Sequence, residues 1–280
     1  MISLVRSGVS KRPNAPVCND IVGFHNNYFW LLDGATPPVG HSYKSVLSLY
    51  LSFLSMGLFL NAVKSENSKV LLYHAIQYAK DMIQTSPVFK GLKMMPRSTA
   101  VVVHVDGNNL DYTVLGDSSL FISDEIFKCD VVSDSRLSFV AVDERDALAS
   151  LFSSTMDDTS PEYQQAYFDL VSKESQFMNQ SGGYWIAADN PLAAMMSVYG
   201  CYTLESDVSV VLMSDGLSRL FNYFDCFLQP IDFVDYIRKN DSDKIFKFLR
   251  YQENSLQHGI KDLVSRHDDA SFIFLSIQKE

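Results

Sequence analysis

Hydrophobic and polar positions along this chain fall into blocks whose period shifts between two and roughly four. The run "NYFWLLDGATP" (27–37) is almost wholly apolar until it stops at Asp33-Gly34, and the same ending recurs in "AVVVHVDGNN" at Asp106-Gly107 and in "VSVVLMSDGLSRL" at Asp215-Gly216. Short Val-rich runs bounded by Asp, Gly and Asn read as β-strands. On that basis "STAVVVHVDGNNLDYTVLGDSSLFISDEIFKC" (98–129) predicts a strand meander, and "HDDASFIFLSIQ" predicts a strand near residue 275. Helices are predicted over 42–63 and 67–85, the second carrying Val70, Leu71, Ala75, Tyr78 and Ala79 at three-to-four spacing. Further helices are expected at 143–153, 161–179, 230–238 and 242–258. The one at 161 has Ser160 as N-cap, Pro161 in the first turn and Glu162 where the helix dipole favours an acid. Meandering strands with segregated helix pairs predict an α+β fold of antiparallel sheets covered by helices, not an alternating doubly wound one. Neither GxGxxG nor GxxxxGK[ST] occurs, so nucleotide-binding folds have no support.

Composition narrows the class. With 280 residues, 47% hydrophobic and 20% charged, the chain can bury a large core, and no Pro/Gly/Ser linker divides it, so residues 1–280 read as a single domain. A net charge of −10 argues against a nucleic-acid partner. An anionic substrate would then need a local source of positive charge, such as a metal ion. Cys18, Cys129, Cys201 and Cys226 stand far apart with no CxxC pairing, which reads as reduced thiols in a cytoplasmic protein. The opening "MISLVRSGVSKRPN" lacks a signal-peptide pattern. "SVLSLYLSFLSMGLFLNAV", between Lys44 and Lys64, is uncharged and long enough to span a bilayer. Ser48, Ser52, Ser55, Gly57 and Asn61 interrupt it and no basic cluster flanks it, so it reads as a helix buried between a sheet and other helices, with no membrane partner.

The three Asp-Gly pairs are not equivalent. Asp106-Gly107 is followed by Asn108-Asn109 and a second strand-like run, which is hairpin chemistry. Asp33 and Asp215 instead place a carboxylate at the end of a core strand, where it needs a partner. An N-cap or a salt-bridged turn is one reading of each; a metal ligand is the other. "VLGDSSLFI" adds Asp117 between two apolar runs, and "RHDDASFIF" adds Asp268 and Asp269 before the last strand. Several carboxylates at the ends of core strands are tolerable together when a cation joins them, and oxygen-only ligation suits Mg²⁺ or Mn²⁺. A glycine after the aspartate lets the main chain approach closely.

The ordered set "ND" (19–20), "LLDG" (31–34), "STAVVV" (98–103), "GDS" (116–118), "MSDGL" (213–217) and "DDAS" (268–271) resembles the metal-dependent Ser/Thr protein phosphatases of the type 2C or PPM class. The resemblance spans nearly the whole chain. It implies a four-layer αββα sandwich: two stacked antiparallel β-sheets flanked by helix pairs, with a two-metal centre of Mn²⁺ or Mg²⁺ at one end. Asp33 resembles the carboxylate that bridges both ions, with the Gly34 carbonyl on the second. Asp215 and Asp268 resemble ligands of the first ion, and Asp20 the acid that holds metal-bound water. Asp117 resembles the residue that, with Asp215, helps bind a weaker third ion. Asp269 falls where the family usually has Asn and reads as supporting the ligands. The implied activity is hydrolysis of phosphoserine and phosphothreonine in a phosphorylated protein substrate by metal-activated water, without a covalent intermediate.

Departures from the pattern matter. "DGATPP" replaces the usual Asp-Gly-His-Gly-like continuation, so Ala35 cannot donate a proton to a leaving group. The early pair is "ND", one carboxylate instead of two. The phosphate-binding Arg is displaced: Ala15 stands at its position and Arg12 is the nearest candidate, with Arg6 behind it and Arg97 and Arg266 as further basic residues. The alternatives to an active protein phosphatase are a catalytically weak or inactive binding module on the same fold, and a hydrolase of small phosphorylated molecules. His267 reads as a surface or supporting residue. "NQSGGYWIAADNPLAAMM" (179–196) reads as a turn with sheet packing, or as the rim of a substrate cleft.

Overall fold

The run that ends at Asp33 forms an inner strand, β3 (Tyr28–Gly34), buried on both faces. That burial explains its lack of alternation: Phe29 and Leu31 face one core while Tyr28, Trp30 and Leu32 face another. The structure is a computed structural model that describes residues 1–35, 37, 46–92, 94–124, 128–256 and 263–280. One antiparallel sheet runs in the order β2 (Asp20–His25), β3, β4 (Ser98–Asp106), β5 (Asn109–Leu115), β8 (Val198–Thr203). The other runs β1 (Ile2–Ser10), β10 (Ala270–Ile277), β9 (Val208–Met213), β6 (Ser119–Asp124), β7 (Cys129–Ser133), again all antiparallel.

Three cores stack these layers. Phe29, Leu31, Val101 and Val103 meet Leu120, Val210, Leu212 and Ile273 between the sheets. Helices α1 (Leu47–Asn61) and α2 (Ser68–Thr85) cover the outer face of the first sheet. Helices α6 (Asp215–Asn222), α7 (Pro230–Lys239) and α8 (Ser242–Asn254) cover the second. The fold is the expected α+β, αββα sandwich. A helical hairpin, α3 (Val142–Thr155) and α4 (Pro161–Ser175), has a small core of its own around Leu148, Phe152, Tyr163 and Leu170. The short α5 (Leu192–Met195) packs against α2. Ser160 caps α4 as expected, its hydroxyl accepting from the Tyr163 amide at 3.2 Å.

Several expectations need correction. The meander over 98–129 is split between two sheets, because the chain crosses over at Gly116, whose φ is +83° and whose missing Cβ makes room for the Thr99 side chain. Asp106-Gly107 is the hairpin turn expected, with Gly107 at φ +54°. Helix α4 stops at Ser175, short of 179, and the chain reaches Asn179 in a left-handed conformation. Predicted helical residues 42–45, 257 and 258 lie outside the described residues. Helix α1 rests on β2, β3 and α2, but Met56, Phe59 and Leu60 on its other side are exposed. Among the described residues no helix is long and apolar enough to cross a membrane. All four cysteines are free thiols.

Candidate metal centre

Five aspartates arrive at one end of the sandwich from five different places. Asp20 opens β2 and is paired directly across the ladder with Asp33, near the end of β3. Asp117 sits in the crossover from β5 to β6, Asp215 is the first residue of α6 after β9, and Asp268 precedes β10. Glycines make this convergence possible. The Gly34 amide donates to the Asn19 carbonyl at 2.8 Å, and a Cβ on Gly34 would crowd that oxygen. A Cβ on Gly216 would overlap the Asp269 carbonyl, so α6 can begin against β10 only with glycine there. The strand ends are locked by Ser214 and Ser271: the Ser214 hydroxyl accepts the Ser271 amide at 2.9 Å.

Asp33, Gly34, Asp117, Asp215 and Asp268 line a cavity of about 460 Å³, together with Arg12. Asp20 does not line that cavity; it is only 5% exposed, and among the described residues neither carboxylate oxygen has a hydrogen-bond partner of ordinary geometry, although the Ser271 and Ser214 side chains ease its charge. Burial, reinforced by Asp20, Asp215, Asp268 and Asp117, pushes Asp33 well above the carboxylate range. Burial and then Asp268 and Asp117 push Asp215 up to about 7. Asp20 is pushed up to about 8, again first by burial, with Ser271 opposing and Asp269 and Asp268 reinforcing. Asp117 is raised by burial as well, while Arg145 opposes the shift. Crowded, desolvated acids of this kind want a cation, and the orphaned Asp20 oxygens fit one. An all-oxygen donor set suits a hard divalent ion.

Other predicted residues sort clearly. Asp269 supports rather than lines the cavity: it accepts the Arg12 amide at 2.8 Å and the Asn19 amide at 2.9 Å, fixing the loop that delivers Asp20. Arg6 is not at the site; it caps the end of α7 through the carbonyls of Ile237, Arg238 and Asn240. Arg97 is buried in the cavity wall, 3.9 Å from Glu174, whereas half-buried Arg266 does not line the cavity. His267 lines the cavity and meets Asn254 at 3.1 Å. Tyr184 and Ile186 from the 179–196 stretch are both packed and cavity-lining.

Sequence reasoning missed three groups. Arg219, 4% exposed, donates from Nη2 to Asp268 Oδ2 at 2.7 Å and to Ser265 Oγ at 3.2 Å. Its signal was the spacing of four from Asp215, which puts both on one face of α6. Arg145 and Glu174 pair at 2.6 Å on the α3–α4 hairpin, which is tied down by the Tyr163 hydroxyl donating to the Val264 carbonyl. Their helical pattern predicted the hairpin but not where it docks.

Against known proteins, no family profile matches the sequence and no curated protein sequence matches it either. Solved structures do match in shape. The Mycobacterium tuberculosis serine/threonine phosphatase PstP/Ppp superimposes with a TM-score of 0.57 at 12% identity over 100% of both chains. The S. agalactiae serine/threonine phosphatase gives 0.57 at 15% identity over 99% of both. The catalytic domain of PstP in complex with two manganese ions gives 0.53 at 13% identity over 99% of both. The chain therefore has the fold of the PPM-type Ser/Thr phosphatases.

Proposed function

We propose that residues 1–280 act as one metal-dependent phosphatase unit that hydrolyses phosphoserine and phosphothreonine in protein substrates. The observation that carries this reading is the convergence of Asp20, Asp33, Asp117, Asp215 and Asp268, with burial raising Asp20, Asp33, Asp117 and Asp215, beside an arginine-bearing cavity on a phosphatase fold. Asp33, the Gly34 carbonyl, Asp215 and Asp268 would together hold two Mn²⁺ or Mg²⁺ ions, and Asp117 with Asp215 would serve a weaker third. Two bound cations lower the pKa of water and offset charge on phosphoryl oxygens.

The chain's own groups supply the rest. Asp20, paired with Asp33 across the ladder, would help hold the water at the centre by hydrogen bonding. Arg12, on the cavity wall, is placed to grip a phosphate oxygen and orient phosphorus. Tyr163 and Tyr167 from α4 line the cavity and would limit bulk water there. Ala35 offers no proton, so the departing serine or threonine oxygen takes one from solvent. No cysteine lines the cavity, consistent with direct attack by water. The reduced thiols favour a cytoplasmic setting.

One observation favours a second reading. Arg219 already neutralises Asp268, so the fold could have given up one ion and become a weak or non-catalytic module. Hydrolysis of p-nitrophenyl phosphate and of a phosphothreonine peptide, with Mn²⁺, Mg²⁺ or EDTA, decides. Metal-dependent cleavage of the peptide is expected. Silence on both substrates supports the module, and turnover that survives chelation overturns the metal reading.

A further inference from the structure

We propose that Cys18, Asp20 and Asp269 form a second cation site, selective for a thiophilic divalent ion such as Zn²⁺, which shares Asp20 with the metal centre and inhibits the enzyme when filled. One ligand atom from each of the three residues lies within 4.8 Å of the other two. Zinc holds sulfur at about 2.3 Å and carboxylate oxygen at about 2.0–2.2 Å, so a small inward movement completes three of its four positions, and water takes the fourth.

The ligand chemistry is prepared. Asp20 is nine-tenths buried, and among the described residues neither of its oxygens has a hydrogen bond of ordinary geometry, so it gains from a cation. Asp269 is held rigid by two backbone amides, one on each oxygen, and each oxygen keeps a further lone pair. Cys18 supplies the sulfur that Mg²⁺ and Mn²⁺ avoid and Zn²⁺ favours; burial and the neighbouring Asp20 and Asp269 push its thiol up to about 12, so the proton leaves to solvent only as the metal–sulfur bond forms. None of the three residues lines the 460 Å³ cavity. A cleft of about 230 Å³ lined by Val17 and Asn19, the chain neighbours of half-buried Cys18, shares Arg12, Pro13 and Asn14 with that cavity. An ion at Cys18 takes Asp20 away from the water it is proposed to serve; this inhibitory clause rests on the proposed function, whereas the site itself does not.

Cobalt(II) tests the site by spectroscopy. Wild-type protein should develop a near-ultraviolet thiolate-to-cobalt charge-transfer band that saturates at one equivalent and is bleached by Zn²⁺. The Cys201→Ser variant, altered at an exposed cysteine, should keep the band, and Cys18→Ser should lose it. Because Cys18→Ser could misfold, alkylation of the wild-type protein gives an independent reading: Zn²⁺ should protect Cys18 and leave Cys201 reactive. In the Mn²⁺-supported p-nitrophenyl phosphate assay, Cys18→Ser should raise the inhibitory Zn²⁺ concentration at least about tenfold, the effect of losing one ligand worth about 1.4 kcal/mol. A band that persists in Cys18→Ser, its absence from folded wild-type protein, or unprotected Cys18 overturns the site. A Cys18-dependent band in a protein without phosphatase activity would leave the site standing and sink the proposed function instead.

Discussion

Replacing Arg219 by Met tests whether a side chain and a metal ion compete for the same carboxylate. Arg219 is buried, reaches Asp268 at 2.7 Å and also bonds Ser265 through its carbonyl and hydroxyl. Breaking a buried pair by removing one partner costs about 3–5 kcal/mol. The Asp268 side chain is 28% exposed, which places the cost at the lower end, about 2–3 kcal/mol after allowance for screening. For a chain of 280 residues the unfolding entropy is about 0.6 kcal/mol/K, so the midpoint in EDTA should fall by about 4 °C. Saturating Mn²⁺ supplies Asp268 with a new counter-charge. The Mn²⁺-induced rise should accordingly be larger in Arg219→Met than in wild type, read by scanning calorimetry with and without metal. Equal midpoints in EDTA would show that the ion pair contributes nothing. Equal Mn²⁺ shifts would show that Arg219 and the ion do not share Asp268.

Four further outcomes are expected. Asp33→Asn should lower turnover by about a thousandfold or more, since metal ions supply several kcal/mol of transition-state stabilisation. The same variant should melt above wild type in EDTA, because a desolvated and repelled carboxylate has been removed; a lower melting point would contradict the crowding described. Metal-free stability should decline as pH rises from about 4 to about 8: Asp215 at about 7 and Asp20 at about 8 keep protons that the unfolded chain releases near pH 4. Urea midpoints measured in EDTA across that window should fall, and a rise would refute the raised carboxylates. Arg12→Ala should raise KM about tenfold with little change in kcat, the loss of one charge-assisted hydrogen bond; an unchanged KM would remove Arg12 from phosphate binding.

How much of this was readable beforehand depended on how locally each feature is specified. Strands β3, β4, β9 and β10 were legible because both faces are buried and Asp, Gly or Ser ends each run. β1 escaped notice because it is an edge strand with a largely exposed, mixed surface, and its place comes from hydrogen bonds to β10. The aspartates could be picked out as strand-end acids, and the fold gathers them. The Arg219–Asp268 pair joins residues far apart in the chain, so no local pattern announces it. The sheet change at Gly116 was hidden for a related reason: a turn glycine is visible in sequence, but which sheet receives the next strand is decided by the competing cores.

The pairing of β1 with β10 also dictates when this protein can assemble. A nascent chain displays residues 2–10 long before their ladder partner, residues 270–277, which are synthesised last among the described strands. Until then β9 lacks its neighbour on that side, and Asp268 has no anchored strand to follow it. Maturation is therefore held back until translation has passed these residues, and a truncated product would expose unpaired edges to chaperones or to other chains.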